Sequence, residues 1–160
     1  MKFSKSVAIT FAFALSASSI VAGDTGIRAQ DKDSGRKDIY FSVLSAAQER
    51  GPNGEIGAEV CDSDAMGNAV ATFNPNNRNF CINLSYSGLS EMEVAAHIHG
   101  PAPVGENAPV LYTLSMDPIK NDCVKLTRRE ARQLSRGEFY FNIHTAQCPA
   151  GEIRGQILPN

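Results

Sequence analysis

The sequence predicts an all-β domain, an antiparallel sandwich or barrel with one short connecting helix. Three observations predict it. Apolar side chains recur at every second position in a series of short runs; clusters of Gly, Pro and Asn separate those runs; and a helix start signal stands at Thr127-Arg128-Arg129-Glu130. Period two is the spacing at which alternate side chains of a strand reach the same face. Short strands punctuated by turn residues are the pattern of antiparallel sheets.

Residues 1–23 read as a secretory signal peptide. Lys2 and Lys5 precede an apolar run over residues 7–15 and 17–22, and Val21-Ala22-Gly23 offers a cleavage site before Asp24. The apolar stretch falls short of the roughly 20 residues a membrane span needs. Residues 24–38 are charged and without periodicity, a flexible leader. The domain is expected over residues 39–160. Its first strand covers residues 39–46, with Ile39, Phe41 and Val43 on one face and Tyr40, Ser42 and Leu44 on the other. Gly51-Pro52-Asn53-Gly54 is a turn. Strands follow at 68–73 and 80–86, joined by the turn Asn74-Pro75-Asn76-Asn77, with Phe80, Ile82, Leu84 and Tyr86 sharing a face. Shorter strands are expected at 94–99, 110–114 and 123–126. Thr127 and Glu130 then form a capping box, in which each side chain bonds the other residue's backbone N–H. That predicts a helix over 127–136, stopped by Gly137. Strands at 139–145 and 152–158 complete the domain.

The charge balance excludes several partner classes. The chain has 15 Lys+Arg against 17 Asp+Glu. Cleavage before Asp24 removes two lysines and no acids, so the formal charge falls from −2 to about −4. No basic stripe serves a nucleic-acid backbone, and no later segment is apolar enough to span a membrane. Cys61, Cys81, Cys123 and Cys148 make an even set in a chain bound for an oxidising compartment, which favours two disulfides. Three pairings are open. Chain order suggests Cys61–Cys81 and Cys123–Cys148. The absence of a Cys-x-x-Cys pair argues against zinc held by these cysteines. Asn83-Leu84-Ser85 is a glycosylation sequon, with Asn83 directed away from the apolar face of its strand.

Several segments carry a resemblance to a known family. Ala95-Ala96-His97-Ile98-His99-Gly100-Pro101-Ala102, Asn142-Ile143-His144-Thr145-Ala146 and Gly151-Glu152-Ile153-Arg154-Gly155-Gln156-Ile157 resemble, in order, three blocks of the CHRD (chordin-type) domain. The opening strand with Ala47-Gln48-Glu49 and the helix between Leu126 and Gly137 also agree with its layout. The stretch between Arg50 and Leu89 departs most from the pattern. The resemblance implies an immunoglobulin-like β-sandwich or barrel and an extracellular binding or structural module, with no catalytic activity assigned. Its partner would be an extracellular protein or surface ligand.

Chemistry centres on the histidines, all of which fall in the matched blocks. His97 and His99 are two apart on one strand and so share a face, while Ala96 and Ile98 point into the core. Parity puts His144 on the corresponding face of its own strand, opposite Phe139, Phe141 and Ile143. If the two strands are neighbours, three imidazoles converge, and an open three-histidine site suits copper or zinc. A His-x-His strand on a β-barrel is similar to part of the copper site of Cu/Zn superoxide dismutases, which have a larger ligand set. The alternative function is therefore a metal-binding secreted domain using His97, His99 and His144, with Glu152 as a fourth ligand. The structural alternative has the histidines hydrogen-bonding loops folded over the sheet, with Glu152 and Arg154 as an ion pair locking the last strand. No serine lies in a nucleophile-elbow pattern. Glu49, Glu55 and Glu59 cluster around a turn with nothing to hold them as a catalytic pair.

Overall fold

The computed structural model describes residues 35–160. The expected signal peptide and most of the expected charged leader lie outside the described residues. The eight expected strands all form: β1 (Asp38–Ser45), β2 (Met66–Asn74), β3 (Asn79–Ser87), β4 (Glu93–His99), β5 (Val110–Thr113), β6 (Ile119–Lys125), β7 (Phe139–Thr145) and β8 (Ile153–Pro159). The helix α1 (Arg128–Ser135) links β6 to β7. All pairings are antiparallel, and the strands make one sheet in the order β5-β4-β7-β8-β1-β2-β3-β6. That sheet curls into a nearly closed barrel, with β5 and β6 as its two edges.

Local chemistry explains the connections. In the β2–β3 turn the side-chain oxygens of Asn74 and Asn77 accept from the backbone N–H of Asn76 and Asn79, each at 2.9 Å. Arg78 closes that turn with a left-handed φ of 61°, and its guanidinium and carbonyl both bond the backbone of Leu126 beyond β6. The capping box of α1 forms as expected: Glu130 N donates to Thr127 Oγ1 at 3.2 Å and Thr127 N to Glu130 Oε2 at 2.7 Å. Gly137 ends the helix at φ 70°, a conformation that a side chain would strain.

The core is built from the inward parity of each strand. Leu44, Phe80, Leu84, Ala96, Ile98, Phe139, Phe141, Ile143, Ile153 and Ile157 are sealed from solvent, and Leu134 of α1 joins them. On β1 the inward set is Tyr40, Ser42 and Leu44, leaving Ile39, Phe41 and Val43 exposed. The two barrel edges share no ladder and meet through side chains instead. Lys120 Nζ of β6 reaches Glu93 of β4 at 2.7 and 2.8 Å, and also bonds the carbonyls of Ser115 and Asp117. Tyr86 donates to the same Glu93 carboxylate, and Asp122 accepts from the N–H and hydroxyl of Ser115.

The disulfides are Cys61–Cys148 and Cys81–Cys123, which corrects the pairing suggested by chain order. The reason is topological. The sheet neighbour of β3 is β6, and the register sets Cys81 directly opposite Cys123. Cys61, in the loop ahead of β2, lies instead against the β7–β8 connection that carries Cys148. With sequence separations of 87 and 42 residues, each bridge restricts the unfolded chain by on the order of 4 kcal/mol. Asn83 is exposed on β3, where its amide donates to Asn121 Oδ1 at 2.7 Å. Among the described residues no helix is long and apolar enough to cross a membrane.

Candidate functional site

Strands β4 and β7 are neighbours, with Ala95 opposite His144, His97 opposite Asn142 and His99 opposite Tyr140. Strand parity buries Ala96 and Ile98 completely and turns His97 and His99 outward. The three imidazoles do converge. Ring centroids lie 5.5 Å apart for His97 and His99, 5.1 Å for His97 and His144, and 6.2 Å for His99 and His144. His97 Nδ1 is 3.3 Å from His144 Nε2.

Two loops fold over this face, and the other ring nitrogens hold them. His99 Nδ1 donates to the Ala108 carbonyl at 2.9 Å and His144 Nδ1 to the Pro149 carbonyl at 3.1 Å. Partial burial disfavours the charged form of all three rings and pulls each below the ordinary imidazole value. They are therefore neutral at neutral pH. The His99 ring stacks on Tyr140 with centroids 4.9 Å apart, and the Arg154 guanidinium lies 3.6 Å from the same Tyr140 ring centre.

Glu152 and Arg154 are both buried, but the expected ion pair between them is not formed. Glu152 sits in the turn ahead of β8, so strand alternation does not govern its direction. Its carboxylate accepts from Ser63 Oγ at 2.7 Å, Ser90 N at 2.6 Å, Ser90 Oγ at 2.8 Å and Thr145 Oγ1 at 2.7 Å. Burial opposes its ionisation, yet these hydrogen bonds together outweigh burial and hold the carboxyl below its usual range. So occupied, Glu152 does not join the histidine group. The carboxylate lies beside Cys61 and Cys148, whose sulfurs are committed to a disulfide. Arg154 instead binds the loop over the sheet, donating to Asn107 Oδ1 at 3.0 Å and the Glu106 carbonyl at 2.7 Å.

The carboxyl coupled electrostatically to Arg154 is that of Glu49, which the sequence offered as part of the Ala47-Gln48-Glu49 element and of a carboxylate cluster. Glu49 follows the short 3-10 turn Ala46–Gln48 and is wholly buried. Burial pushes its carboxyl up to about 8, against the opposing pull of Arg154 and of the Asn142 amide, which donates to it at 3.4 Å. Gly151 makes room for this group: at φ 136°, any Cβ would lie 2.5 Å from Asn142 Oδ1 and 2.6 Å from Glu49 Oε2. Glu55 accepts from Asn53 and Glu59 from the Ile56 N–H. A shallow cleft of about 250 Å³ opens between the two loops, with His99, Tyr140, Asn142 and Arg50 on its walls.

Comparison with known proteins agrees with these elements. The chain matches the CHRD domain over residues 40–157, from β1 into β8. It is 33% identical over 132 residues to chordin of Danio rerio, an alignment covering 78% of this chain and 13% of chordin. The chain thus corresponds to a small part of that relative's length. No solved structure matches it. The matched span takes in β2 to β7, most of β1 and β8, the three histidines and the buried Glu49, Glu152 and Arg154: the chain belongs to the CHRD domain family.

Proposed function

We propose that this chain acts outside the cell as a non-catalytic binding module that presents the loop of residues 100–109 to a protein partner. The observation that carries the reading is how that loop is held. The sheet beneath grips it chiefly by its backbone. Gln156 donates to the Ala102 carbonyl at 3.0 Å, Arg154 to the Glu106 carbonyl at 2.7 Å and His99 to the Ala108 carbonyl at 2.9 Å. Ala108 N donates to the Tyr140 hydroxyl at 3.0 Å, and Asn107 Nδ2 ties the loop to the Arg50 carbonyl at 3.0 Å. The side chains of Pro101, Pro103, Val104, Glu106 and Pro109 are left exposed. A loop fixed from below, and stiffened by proline, loses little conformational entropy when it is bound. Two disulfides suit an oxidising extracellular setting. Residues 1–23 act in this reading as a cleaved signal, so the secreted protein begins at Asp24.

The test places a photo-crosslinking residue at Val104 and, as a control, at Val70 on the opposite wall of the barrel. In the native extracellular medium, Val104 should capture one partner in saturable amounts that Val70 does not. Arg154→Lys, which loses the paired hold on Asn107 and Glu106, should lower that capture roughly tenfold while the circular dichroism spectrum is unchanged. Equal labelling from both positions would overturn the assignment of the loop.

A further inference from the structure

We propose that His97, His99 and His144 form a site for one copper or zinc ion, ligated through Nδ1 of His97 and Nε2 of His99 and His144. The site adjoins the partner-binding loop, which His99 holds through the Ala108 carbonyl, but its test reads metal uptake and not partner capture.

The hydrogen bonds decide which nitrogens are available. A carbonyl oxygen only accepts, so the contacts to Ala108 and Pro149 put the proton on Nδ1 of His99 and of His144. Each Nε2 then carries a lone pair. That of His99 is buried and has no partner, an arrangement that costs free energy unless a ligand satisfies it. That of His144 accepts a hydrogen bond from His97 Nδ1 at 3.3 Å, so an ion bound between them would take the place of that proton. Nitrogens bound to a tetrahedral ion at about 2.0–2.1 Å stand about 3.3–3.4 Å apart. One edge of the coordination polyhedron is already at that spacing, and ligand atoms of all three residues lie within 4.8 Å of one another.

The surroundings match those of a metal site in two further respects. Ligating histidines commonly donate their second N–H to a backbone carbonyl, which fixes the tautomer and ring orientation. Here the Ala108 and Pro149 carbonyls serve two of the three rings. The donor set is also purely imidazole, because Glu152 is occupied by Ser63, Ser90 and Thr145. Imidazole suits zinc and copper and does not suit calcium or magnesium, and the Irving–Williams order places Cu²⁺ above Zn²⁺. With three protein ligands, a fourth position stays open to water or a small ligand.

The experiment uses the secreted, disulfide-intact chain, purified without a histidine tag and stripped with chelator. Cu²⁺ and Zn²⁺ are titrated separately against a competing chelator, and bound metal is counted by elemental analysis. One equivalent of Cu²⁺ should bind more tightly than Zn²⁺, with nitrogen hyperfine structure in the electron paramagnetic resonance spectrum. His144→Ala and His99→Ala should each weaken binding at least tenfold. Because those two rings also hold loops, His97→Ala is the decisive variant: it removes a ligand without releasing any backbone bond, and should cost a similar factor. Long-range ¹H–¹⁵N spectra should show Nδ1-protonated rings for His99 and His144 in the metal-free protein, with their Nε2 resonances moving on Zn²⁺ addition. Sub-stoichiometric uptake by the parent protein would overturn the proposal. So would a folded His97→Ala variant that binds as the parent does.

Discussion

Glu49→Gln should stabilise this domain, and increasingly so as pH rises. The carboxyl is buried, and its value is about 8 in the folded protein against an ordinary 4.5. Below pH 4.5 both folded and unfolded chains carry the proton, so the group imposes no penalty. Between 4.5 and 8 the unfolded chain has released its proton and the folded one retains it. Stability therefore falls by about 1.4 kcal/mol per pH unit over that window. The accumulated loss is about 3 kcal/mol at pH 7 and on the order of 5 kcal/mol by pH 8. A glutamine keeps the shape of the protonated carboxyl and cannot ionise. Urea unfolding of both proteins across pH 4.5 to 8.5, with disulfides intact, should give curves that coincide at the acid end and diverge above it. The reasoning would fail if Glu49→Gln were the less stable protein at pH 8. That outcome would mean that attraction to Arg154 exceeds the desolvation of Glu49, so that removing the carboxylate strands a buried guanidinium.

Other perturbations test the frame around the site. Glu93→Ala should cost about 3–5 kcal/mol in chemical unfolding because it leaves the Lys120 ammonium buried without its carboxylate, whereas adding Lys120→Met should restore much of the loss. Under mild reductant, mass spectrometry of alkylated protein should find Cys81–Cys123 opened before Cys61–Cys148, since Cys123 is exposed and both members of the other bridge are buried. Expressed in a eukaryotic secretory host, the chain should acquire one glycan that Asn83→Gln abolishes, because Asn83 stands exposed on an outer barrel face.

Most of the frame was legible because it follows from local rules. Alternation found all eight strands, and the Thr127–Glu130 capping box found the helix, since each signal lies within a few residues of what it specifies. What failed depended on which distant segments meet. On β1 both parities carry apolar groups, so the strand by itself does not choose Tyr40 and Leu44 over Phe41 and Val43. The cysteine pairing depended on β3 lying beside β6, which chain order does not reveal. The Glu152–Arg154 pair failed for a smaller reason: parity was extended one residue beyond the end of the strand. Glu49 was missed as a site residue because it lies outside any periodic run, and its burial comes from Asn142 and Arg154, more than ninety residues away.

Strands β7 and β8 show why chemistry is confined to so small a region. Along β7 and β8 nearly every residue is buried on both faces, which in a barrel requires a covering layer outside the sheet. Covering loops bring backbone carbonyls with them, and a buried carbonyl must be bonded. The outward residues of these strands meet that demand: Gln156 donates to the Ala102 carbonyl, Arg154 to the Glu106 carbonyl and the Tyr140 hydroxyl to the Ala108 carbonyl. Each is thereby fixed in place and withdrawn from other chemistry. His97 is different, because it bonds no loop and is only half-buried. It stands beside the unpartnered Nε2 of His99 and shares a hydrogen bond with Nε2 of His144. A ligand entering the cleft between the loops meets His99 together with Tyr140 and Asn142, and the rings of His97 and His144 stand next to His99.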